Sequence, residues 1–138
     1  IAFTKNFGIK LLLLLDQLSM LDPAWELLYL GRGPIDPNRS QPAKHIVVPG
    51  FSYGAFAYML THSGINKLLT SGYQNNLIPV DELLPAVSVP HKREDIRELY
   101  SRHLQLRAYA LFPSIVYHDP PPDERSDICK ADAWKACS

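Results

Sequence analysis

The sequence predicts an α/β fold, because strand-like and helix-like segments alternate along its 138 residues. Residues 25–31 and 51–60 are apolar and rich in aromatic side chains, and turn-forming residues flank them, which is typical of buried strands. Helical spacing of apolar residues precedes the first strand, and a cap with a further helical pattern follows the second. These patterns predict three or four strands and three or four helices in one domain with its own core.

The first helix is expected over residues 3–21. Its apolar residues recur at helical spacing, and its polar residues are placed where they can reach solvent. The five leucines of residues 11–15 widen the apolar face, which predicts burial on more than one side. Asp22-Pro23 ends this helix, because the residue before a proline disfavours helical geometry.

The middle of the chain is predicted to be a loop, a strand and a capped helix. Residues 32–49 contain four prolines and little periodicity, which indicates a loop with a short edge strand at 46–48. The strand at 51–60 leads into a turn where Thr61 or Ser63 can cap a helix that runs to Leu69.

The last third is predicted from shorter patterns. A helix is expected at about 81–87, and the charged residues 92–102 are expected to form a surface helix or an ordered loop. Residues 106–117 are predicted to be two strands separated by Pro113. From His118 onward proline, aspartate and serine dominate, which predicts a tail that wraps the surface.

Composition argues against several classes of function. The formal net charge is zero, from 14 basic and 14 acidic residues, so no charge excess predicts binding to nucleic acid or to an anionic membrane. The leucine run at residues 11–15 is far shorter than the roughly 20 residues that a transmembrane helix needs. Cys129 and Cys137 match no common zinc pattern, and a disulfide, two free thiols or a chance pair all stay open.

Asp81 and Glu82 form an acidic pair within an apolar segment flanked by Pro79 and Pro85. Carboxylates among apolar side chains are partly desolvated, so they need a partner such as a metal, a hydroxyl or a backbone N–H. In one interpretation Asp81 caps a helix and Glu82 complements the helix dipole. In the other, the pair supplies a positioned base or a clamp for a ligand hydroxyl. The residues alone leave both interpretations open.

The chain contains histidine and carboxylate side chains that can bind a metal ion, but their spacing does not predict a metal site. No histidine has a second ligand two to four residues away on an evident strand or helix, so no zinc site is predicted. A hard cation held by one carboxylate and a ligand phosphate stays open. His118 is retained as the metal candidate, and a lone histidine is otherwise expected at the surface or as a cap. The candidates by residue type are Asp81, Glu82, His91, His103, His118 and Asp119.

Two short patterns bear on a nucleophile or a phosphate loop. Gly50-Phe51-Ser52-Tyr53-Gly54 has the Gly-x-Ser-x-Gly spacing of a nucleophile elbow, but it leads into a predicted strand, whereas an elbow joins a strand to a helix. Gly31-Arg32-Gly33 lacks the third glycine and the Lys-Ser/Thr ending of a phosphate loop. These observations argue against hydrolase, kinase and dinucleotide-binding functions. Aromatic residues alternate with small ones in the second strand, which indicates either a stacking platform for sugars or a packed core strand; they are Phe51, Tyr53, Phe56 and Tyr58.

Four blocks of sequence occur in a recognisable order. They are W-E-L-L-Y-L-G-R at 25–32, F-S-Y-G-A-F-A-Y-M-L at 51–60, S-G-I-N-K-L-L at 63–69 and I-P-V-D-E-L-L-P at 78–85. Their order and spacing resemble glycosyltransferase family 25, which includes lipopolysaccharide-type and collagen-type galactosyltransferases. The match is closer to the collagen-type branch. Residues 107–117 with Ser126-Asp127 are similar to the family's closing segment, so the resemblance covers most of residues 1–127.

The resemblance implies a partial GT-A-like fold, the three-layer sandwich of nucleotide-diphospho-sugar transferases. It also implies a UDP-sugar donor (typically UDP-galactose), a Mn²⁺ or Mg²⁺ ion and inversion at the anomeric carbon. Asp81 matches the aspartate of the family's V-D-E block, so it is the expected base or acceptor clamp, with Glu82 second. The residues expected to line the donor or acceptor cleft are Arg32, Ser52, Tyr53 and Gly54.

The sequence departs from the family because it lacks the acidic Glu-Asp-Asp triplet that binds the metal ion in family members. The resemblance therefore implies that residues 1–138 form one glycosyltransferase-like domain without its nucleotide-binding half, acting on a saccharide, glycan or hydroxylysine-type acceptor. The expected location is the cytoplasm or a membrane periphery, with the endoplasmic reticulum lumen as the alternative, and homo-oligomers are expected through exposed apolar surface. The alternatives are a degenerate, non-catalytic module for saccharide binding or assembly, and an unrelated structural α/β domain.

Overall fold

The computed structural model describes residues 1–100 and 105–118, and the elements alternate between strands and helices. A short 3-10 turn, Tyr73–Asn75, lies between the second and third helices. The helices are α1 (Phe7–Leu21), α2 (His62–Thr70), α3 (Val80–Ala86) and α4 (Glu94–Tyr100). The strands are β1 (Ala2–Phe3), β2 (Leu27–Pro34), β3 (Ser40–Ala43), β4 (Ile46–Val48), β5 (Ser52–Leu60), β6 (Ala108–Leu111) and β7 (Val116–Tyr117).

Five of these strands form a mixed sheet in the order β3-β4-β6-β2-β5. Strand β2 is parallel to β6 and antiparallel to β5, and β4 is antiparallel to both of its neighbours. Residues 27–33 of β2 are all buried, which explains their nearly continuous apolar sequence. The two short strands β1 and β7 form a separate antiparallel pair.

The core lies on both faces of the sheet, because successive side chains of β2 point in opposite directions. Leu27 and Tyr29 pack with residues of α3 and α4, including Leu84 and Ile96. On the other face, Leu28 and Leu30 pack with α1 and β7, chiefly through Leu18 and Val116. Helices therefore cover both faces of a mixed sheet. The predicted α/β class is confirmed, and the architecture is consistent with a partial nucleotide-sugar transferase fold.

The beginning of the chain differs from the prediction of one helix over residues 3–21. Ala2 and Phe3 pair with β7, and helix α1 starts only at Phe7, after Asn6 takes a left-handed backbone conformation. The expected burial of α1 on more than one side is wrong. Leu18 is the one residue of α1 that is fully buried, whereas Leu12 and Leu13 are 70% and 67% exposed.

Further differences arise where pairing is decided by distant segments. The predicted loop at 32–49 contains the unpredicted strand β3, and β4 lies inside the sheet between β3 and β6 rather than at an edge. Strands β6 and β7 both form, but β6 pairs with β2 and β4 while β7 pairs with β1. The local prediction of a cap for α2 is confirmed. The Thr61 hydroxyl accepts a hydrogen bond from the Gly64 N–H at 3.2 Å and caps this helix.

Among the described residues, no helix has both the length and the apolar character to cross a membrane. The predictions that concern the tail, Cys129, Cys137, His103 and Asp119 lie outside the described residues.

Glu26, directly before β2, is a buried carboxylate that joins three elements. Its oxygens accept hydrogen bonds from the Lys67 ammonium group at 2.9 Å, the Ser63 hydroxyl at 2.8 Å and the Arg107 backbone N–H at 3.0 Å. Burial by itself raises the pKa of Glu26, but these hydrogen bonds outweigh burial and hold the pKa below its ordinary value. The charged form therefore stabilises the packing of α2 and β6 against β2.

We predict that Glu26→Gln lowers the free energy of unfolding by about 2 kcal/mol at pH 7, because hydrogen bonds to a charged group are lost. The folded pKa lies below the unfolded value of roughly 4.3, so the stabilisation is complete above about pH 5 and is lost as pH falls below about 4. Urea unfolding at a series of pH values measures the difference. The exposed Glu98→Gln serves as control, and a Glu26→Gln effect that is independent of pH would contradict the explanation.

Candidate functional site

Helix α3 carries the acidic pair at its beginning. Its N-cap position is Pro79, and no side chain caps the helix, so the interpretation of Asp81 as the cap is wrong. Asp81 and Glu82 instead lie half-buried in the first turn, where the helix dipole favours negative charge. Residues 83–86 are buried against the sheet and fix the second half of the helix.

Glu82 is directed toward His91, whose side chain is completely buried. The Glu82 Oε2 and His91 Nε2 atoms are 2.7 Å apart. The ring N–H is not aligned with that oxygen, however, and neither atom has a hydrogen-bond partner among the described residues. Their contact is therefore a close electrostatic one between two buried polar atoms. The Arg93 Nη1 atom adds a weaker contact, 3.6 Å from Glu82 Oε1.

His91 also caps the turn that leads to α4. Its Nδ1 atom accepts the Arg93 backbone N–H at 3.1 Å, so the neutral ring carries its hydrogen on Nε2. His91 is therefore not at the surface, and its ring nitrogen closes a turn rather than capping a helix, because the N–H that it accepts belongs to Arg93, one residue before α4 begins. No local pattern predicts the contact with Glu82, because His91 lies nine positions further along the chain and beyond a turn.

Aromatic residues of β5 and its approach surround this contact. The Phe51 ring lies edge-on against His91, with 5.0 Å between centroids, and at the same distance against Tyr53. Phe51 is buried, as expected for a core aromatic, whereas Tyr58 is exposed. Phe51 is therefore a core residue, whereas Tyr58 is accessible on β5.

Asp81 belongs to the electrostatic surroundings of Tyr29. Burial raises the pKa of the Tyr29 hydroxyl far above its ordinary value, and the charge of Asp81 adds to the rise. The hydrogen bond with Ser88 and the positive charge of Arg32 oppose it. Asp81 and Tyr53 each have a partner within the fold. Tyr29 on β2 thus lies within electrostatic range of both Asp81 and Arg32.

Arg32 is a buried cation at the far end of β2. Its guanidinium donates to the Ser52 hydroxyl at 2.6 Å and to the Asn38 side-chain oxygen. Burial lowers the pKa of Arg32, and the nearby Tyr29 partly offsets this. No carboxylate forms an ion pair with Arg32 in the described part of the chain. The predicted site residues Arg32 and Ser52 are thus brought together, with Ser52 supporting the guanidinium.

Arg32 also lines an open groove of about 350 Å³. The ring of His118 lies on the wall of this groove, 5.4 Å from the Phe56 ring. Asp81 and Glu82 do not line it. The predicted site residues therefore fall into two groups, one at the groove and one at the start of α3.

The described residues do not fit a resident metal site. They contain no group of three histidine, cysteine, aspartate or glutamate side chains that could hold an ion. His118 therefore has no such ligand group around it within residues 1–100 and 105–118. The described residues therefore contain no site that fits the Mn²⁺ or Mg²⁺ ion implied by the family resemblance. The chemistry proposed below does not use such an ion.

No protein-family model matches the chain. No solved structure matches it either. Curated relatives do match: inactive glycosyltransferase 25 family member 3 of Mus musculus is 30% identical over 97% of the chain and 24% of its own length. Procollagen galactosyltransferase 2 of Homo sapiens is 28% identical over 97% of the chain and 22% of its own length. Procollagen galactosyltransferase 1-B of Xenopus laevis is 32% identical over 85% of the chain and 20% of its own length.

The mixed sheet, covered by helices on both faces, is consistent with a partial fold of the nucleotide-sugar transferase class. The relatives identify the family, and the chain belongs to glycosyltransferase family 25. It spans about a quarter or less of the length of the relatives described. Because those relatives include proteins named as transferases and proteins named as inactive, membership does not by itself establish catalysis.

Gly54 shapes the β5 side of this region through its backbone. It has φ of +63°, and it lies where the β2–β5 register shifts between the pairs Gly31–Ala57 and Gly33–Tyr53. A Cβ atom at this position would lie 2.5 Å from the Phe56 ring. The irregularity therefore depends on glycine for two reasons, positive φ and limited space.

We predict that Gly54→Ala lowers the free energy of unfolding by more than Gly72→Ala does. Gly72 also has positive φ, +81°, but no atom lies within 4 Å of an added Cβ, so its substitution costs only the backbone strain of roughly 1–2 kcal/mol. Gly8 in α1 has open space and no positive φ, so Gly8→Ala is the unstrained control and should not lower the free energy of unfolding. Urea unfolding of the three variants measures the order. Equal losses for Gly54 and Gly72 would show that the Phe56 ring moves aside freely.

Proposed function

We propose that this chain is the acceptor-side part of a glycosyltransferase that moves a hexose, galactose in the first instance, from a UDP-sugar to a saccharide or hydroxylysine-type acceptor. The observation that carries the proposal is the similarity to the procollagen galactosyltransferases of human and frog over most of the chain. The site supports it, because a half-buried carboxylate pair stands at the start of α3, a helix that packs against β5.

The proposed chemistry is a single inverting displacement. The acceptor hydroxyl oxygen bonds to the anomeric carbon as the bond from that carbon to the UDP oxygen breaks, and UDP leaves with the bonding electron pair. A carboxylate takes the hydroxyl proton during the attack. Asp81 is assigned this role of base or acceptor clamp, because it matches the aspartate of the V-D-E block. Glu82 is the second candidate, and its carboxylate already contacts His91 and Arg93.

The substrate-binding part of the proposal rests on Arg32 and its surroundings. A buried guanidinium that hydrogen-bonds only neutral side chains in the described residues keeps its positive charge available for an anionic group. Ser52 orients it, and Tyr53 and Gly54 shape the neighbouring strand. The proposal includes a divalent cation only for the protein expressed from its complete coding sequence.

We predict that Asp81→Asn, in the protein expressed from its complete coding sequence, lowers kcat for sugar transfer by about 10²–10⁴-fold, the usual contribution of a general base. The fold and the binding of UDP-sugar should be retained, which circular dichroism and calorimetry check. Asp16→Asn, an exposed carboxylate of α1, is the matched control and should leave transfer unchanged.

Two outcomes would contradict this assignment. Full transfer activity in Asp81→Asn would remove Asp81 from the mechanism while leaving the transferase function intact. Saccharide binding without any transfer by the unsubstituted protein would instead favour the non-catalytic alternative.

A further inference from the structure

The groove beside the end of β2 contains a buried positive charge. Arg32 is only 8% exposed, and it is the one lysine or arginine among the described residues that line the groove. A carboxylate also lies on the wall, that of Asp36, but it is partly exposed and pairs with the Lys92 ammonium group at 2.7 Å. No carboxylate of the described residues therefore neutralises the guanidinium.

The Arg32 guanidinium has hydrogen-bond donors that the described residues do not use. It carries five N–H groups in one plane, and the Ser52 hydroxyl and the Asn38 side-chain oxygen accept one each. The Ser52 hydroxyl gives its own hydrogen to the Gly50 carbonyl at 3.1 Å, so it faces Arg32 as an acceptor. Both partners of Arg32 are neutral, so they orient its charge without cancelling it. Since a buried charge is costly without an opposite charge, an anion in the groove would complete this site.

A carboxylate fits this site better than a diphosphate does. One guanidinium binds one carboxylate through two parallel N–H···O bonds. A diphosphate carries more negative charge, and proteins bind it with several cationic groups, a helix N-terminus or a metal ion. The groove offers Arg32 alone for this purpose, and the described residues contain no group of side chains that could hold a metal ion.

The walls of the groove favour a peptide over a saccharide. Apolar side chains form most of its surface, and Phe112 and Tyr117 are 53% and 43% exposed. A sugar ring presents hydroxyls on all sides and needs polar partners, but the Asn38 oxygen and the Asp36 carboxylate already bind side chains of the protein. Apolar residues beside an acidic residue can instead pack on aromatic rings and prolines. The lining residues of this kind are Pro34, Pro37, Phe56, Phe112, Pro113 and Tyr117.

We propose that this groove binds an acidic side chain of a peptide acceptor, whose carboxylate pairs with Arg32 while neighbouring apolar residues pack on the aromatic and proline walls. The inference rests on the proposed function and deepens it, because it selects a hydroxylysine-type peptide as the acceptor. Asp81 and Glu82 do not line the groove, so it holds a flanking part of the acceptor and not the reacting hydroxyl. Strand β5 connects the two places, since Ser52 at its start supports Arg32 and α3 packs against the strand.

Binding of synthetic peptides to the protein expressed from its complete coding sequence tests the site without any transfer. The probes are blocked at both ends, contain one hydroxylysine and differ only in a Pro-Glu-Phe or Pro-Gln-Phe core, and calorimetry measures their affinities. The glutamate peptide should bind roughly 10-fold more tightly, because a hydrogen-bonded charge pair replaces a neutral contact. Arg32→Gln should abolish this preference. Arg39→Gln, which replaces an exposed arginine outside the groove, is the matched control and should retain it.

Phe112→Ser tests the apolar wall separately, and it keeps the test decisive if Arg32→Gln does not fold. Because the Phe112 ring is exposed, its replacement should leave the fold intact, which thermal unfolding checks. Both peptides should bind several-fold more weakly, by the same factor, so that the preference for glutamate stays. Unchanged binding of both peptides in Phe112→Ser would overturn the proposal. Equal affinities of the two peptides for the unsubstituted protein would overturn it too.

Competition identifies the occupant of the groove. UDP and glucuronic acid, each added at the concentration of the glutamate peptide, should not displace it. Displacement by UDP that is lost in Arg32→Gln would make the groove a part of the donor site. Displacement by glucuronic acid would show that an anionic saccharide binds there. Either result contradicts the assignment to a peptide.

Transfer kinetics separate this inference from the proposed function. Arg32 touches none of the reacting atoms in this account, so the glutamate peptide should show a KM about 10-fold below that of the glutamine peptide at equal kcat. If both peptides are glycosylated with the same KM, the groove assignment fails and the transferase function stands. If no sugar is transferred but the preference for glutamate depends on Arg32, the proposed function fails while the site for an acidic peptide stands.

Discussion

The burial of strand β2 on both faces is the constraint on which the rest of the structure depends. Every residue from 27 to 33 is buried, because β5 and β6 flank the strand and helices cover both faces of the sheet. A strand in this position needs apolar side chains throughout, and any polar group at its ends must find a partner. Glu26 and Arg32, at the two ends of this run, meet that requirement in different ways.

The two ends of β2 therefore differ in character. Glu26 is satisfied within the fold by a lysine, a serine and a backbone N–H, which makes it a structural junction. Arg32 is also buried, but the side chains that it contacts in the described residues are neutral, and it lies on the wall of a groove. A buried carboxylate that pairs with a cation is neutralised within the fold. A buried cation without a carboxylate partner can instead bind an anionic group of a ligand.

The parts of the fold that the sequence predicted are those decided within a few residues. The strand β5, the Thr61 cap of α2 and the short helix at the acidic pair follow from local pattern. The pairing of β1 with β7 and the inner position of β4 depend on segments more than 60 residues away, which no local pattern encodes. The predicted burial of the leucine run of α1 on more than one side is wrong for a related reason. Periodicity identifies an apolar face of a helix, but it does not identify which segment of the chain covers that face. The contact between His91 and Glu82 was missed because the chain must turn back before α4 to form it.

That contact bears on whether this family member is a catalyst or a scaffold. Two buried polar atoms at 2.7 Å without an aligned hydrogen bond contribute less to stability than a well-packed apolar pair of the same size would. The Glu26 junction, by contrast, is fully hydrogen-bonded and serves a scaffold as well as an enzyme. Stability alone does not favour this polar contact, because an apolar pair of similar volume is often as stable or more so. Under the proposed function, the contact is explained if the Glu82 carboxylate must be held in one orientation, as proton transfer requires.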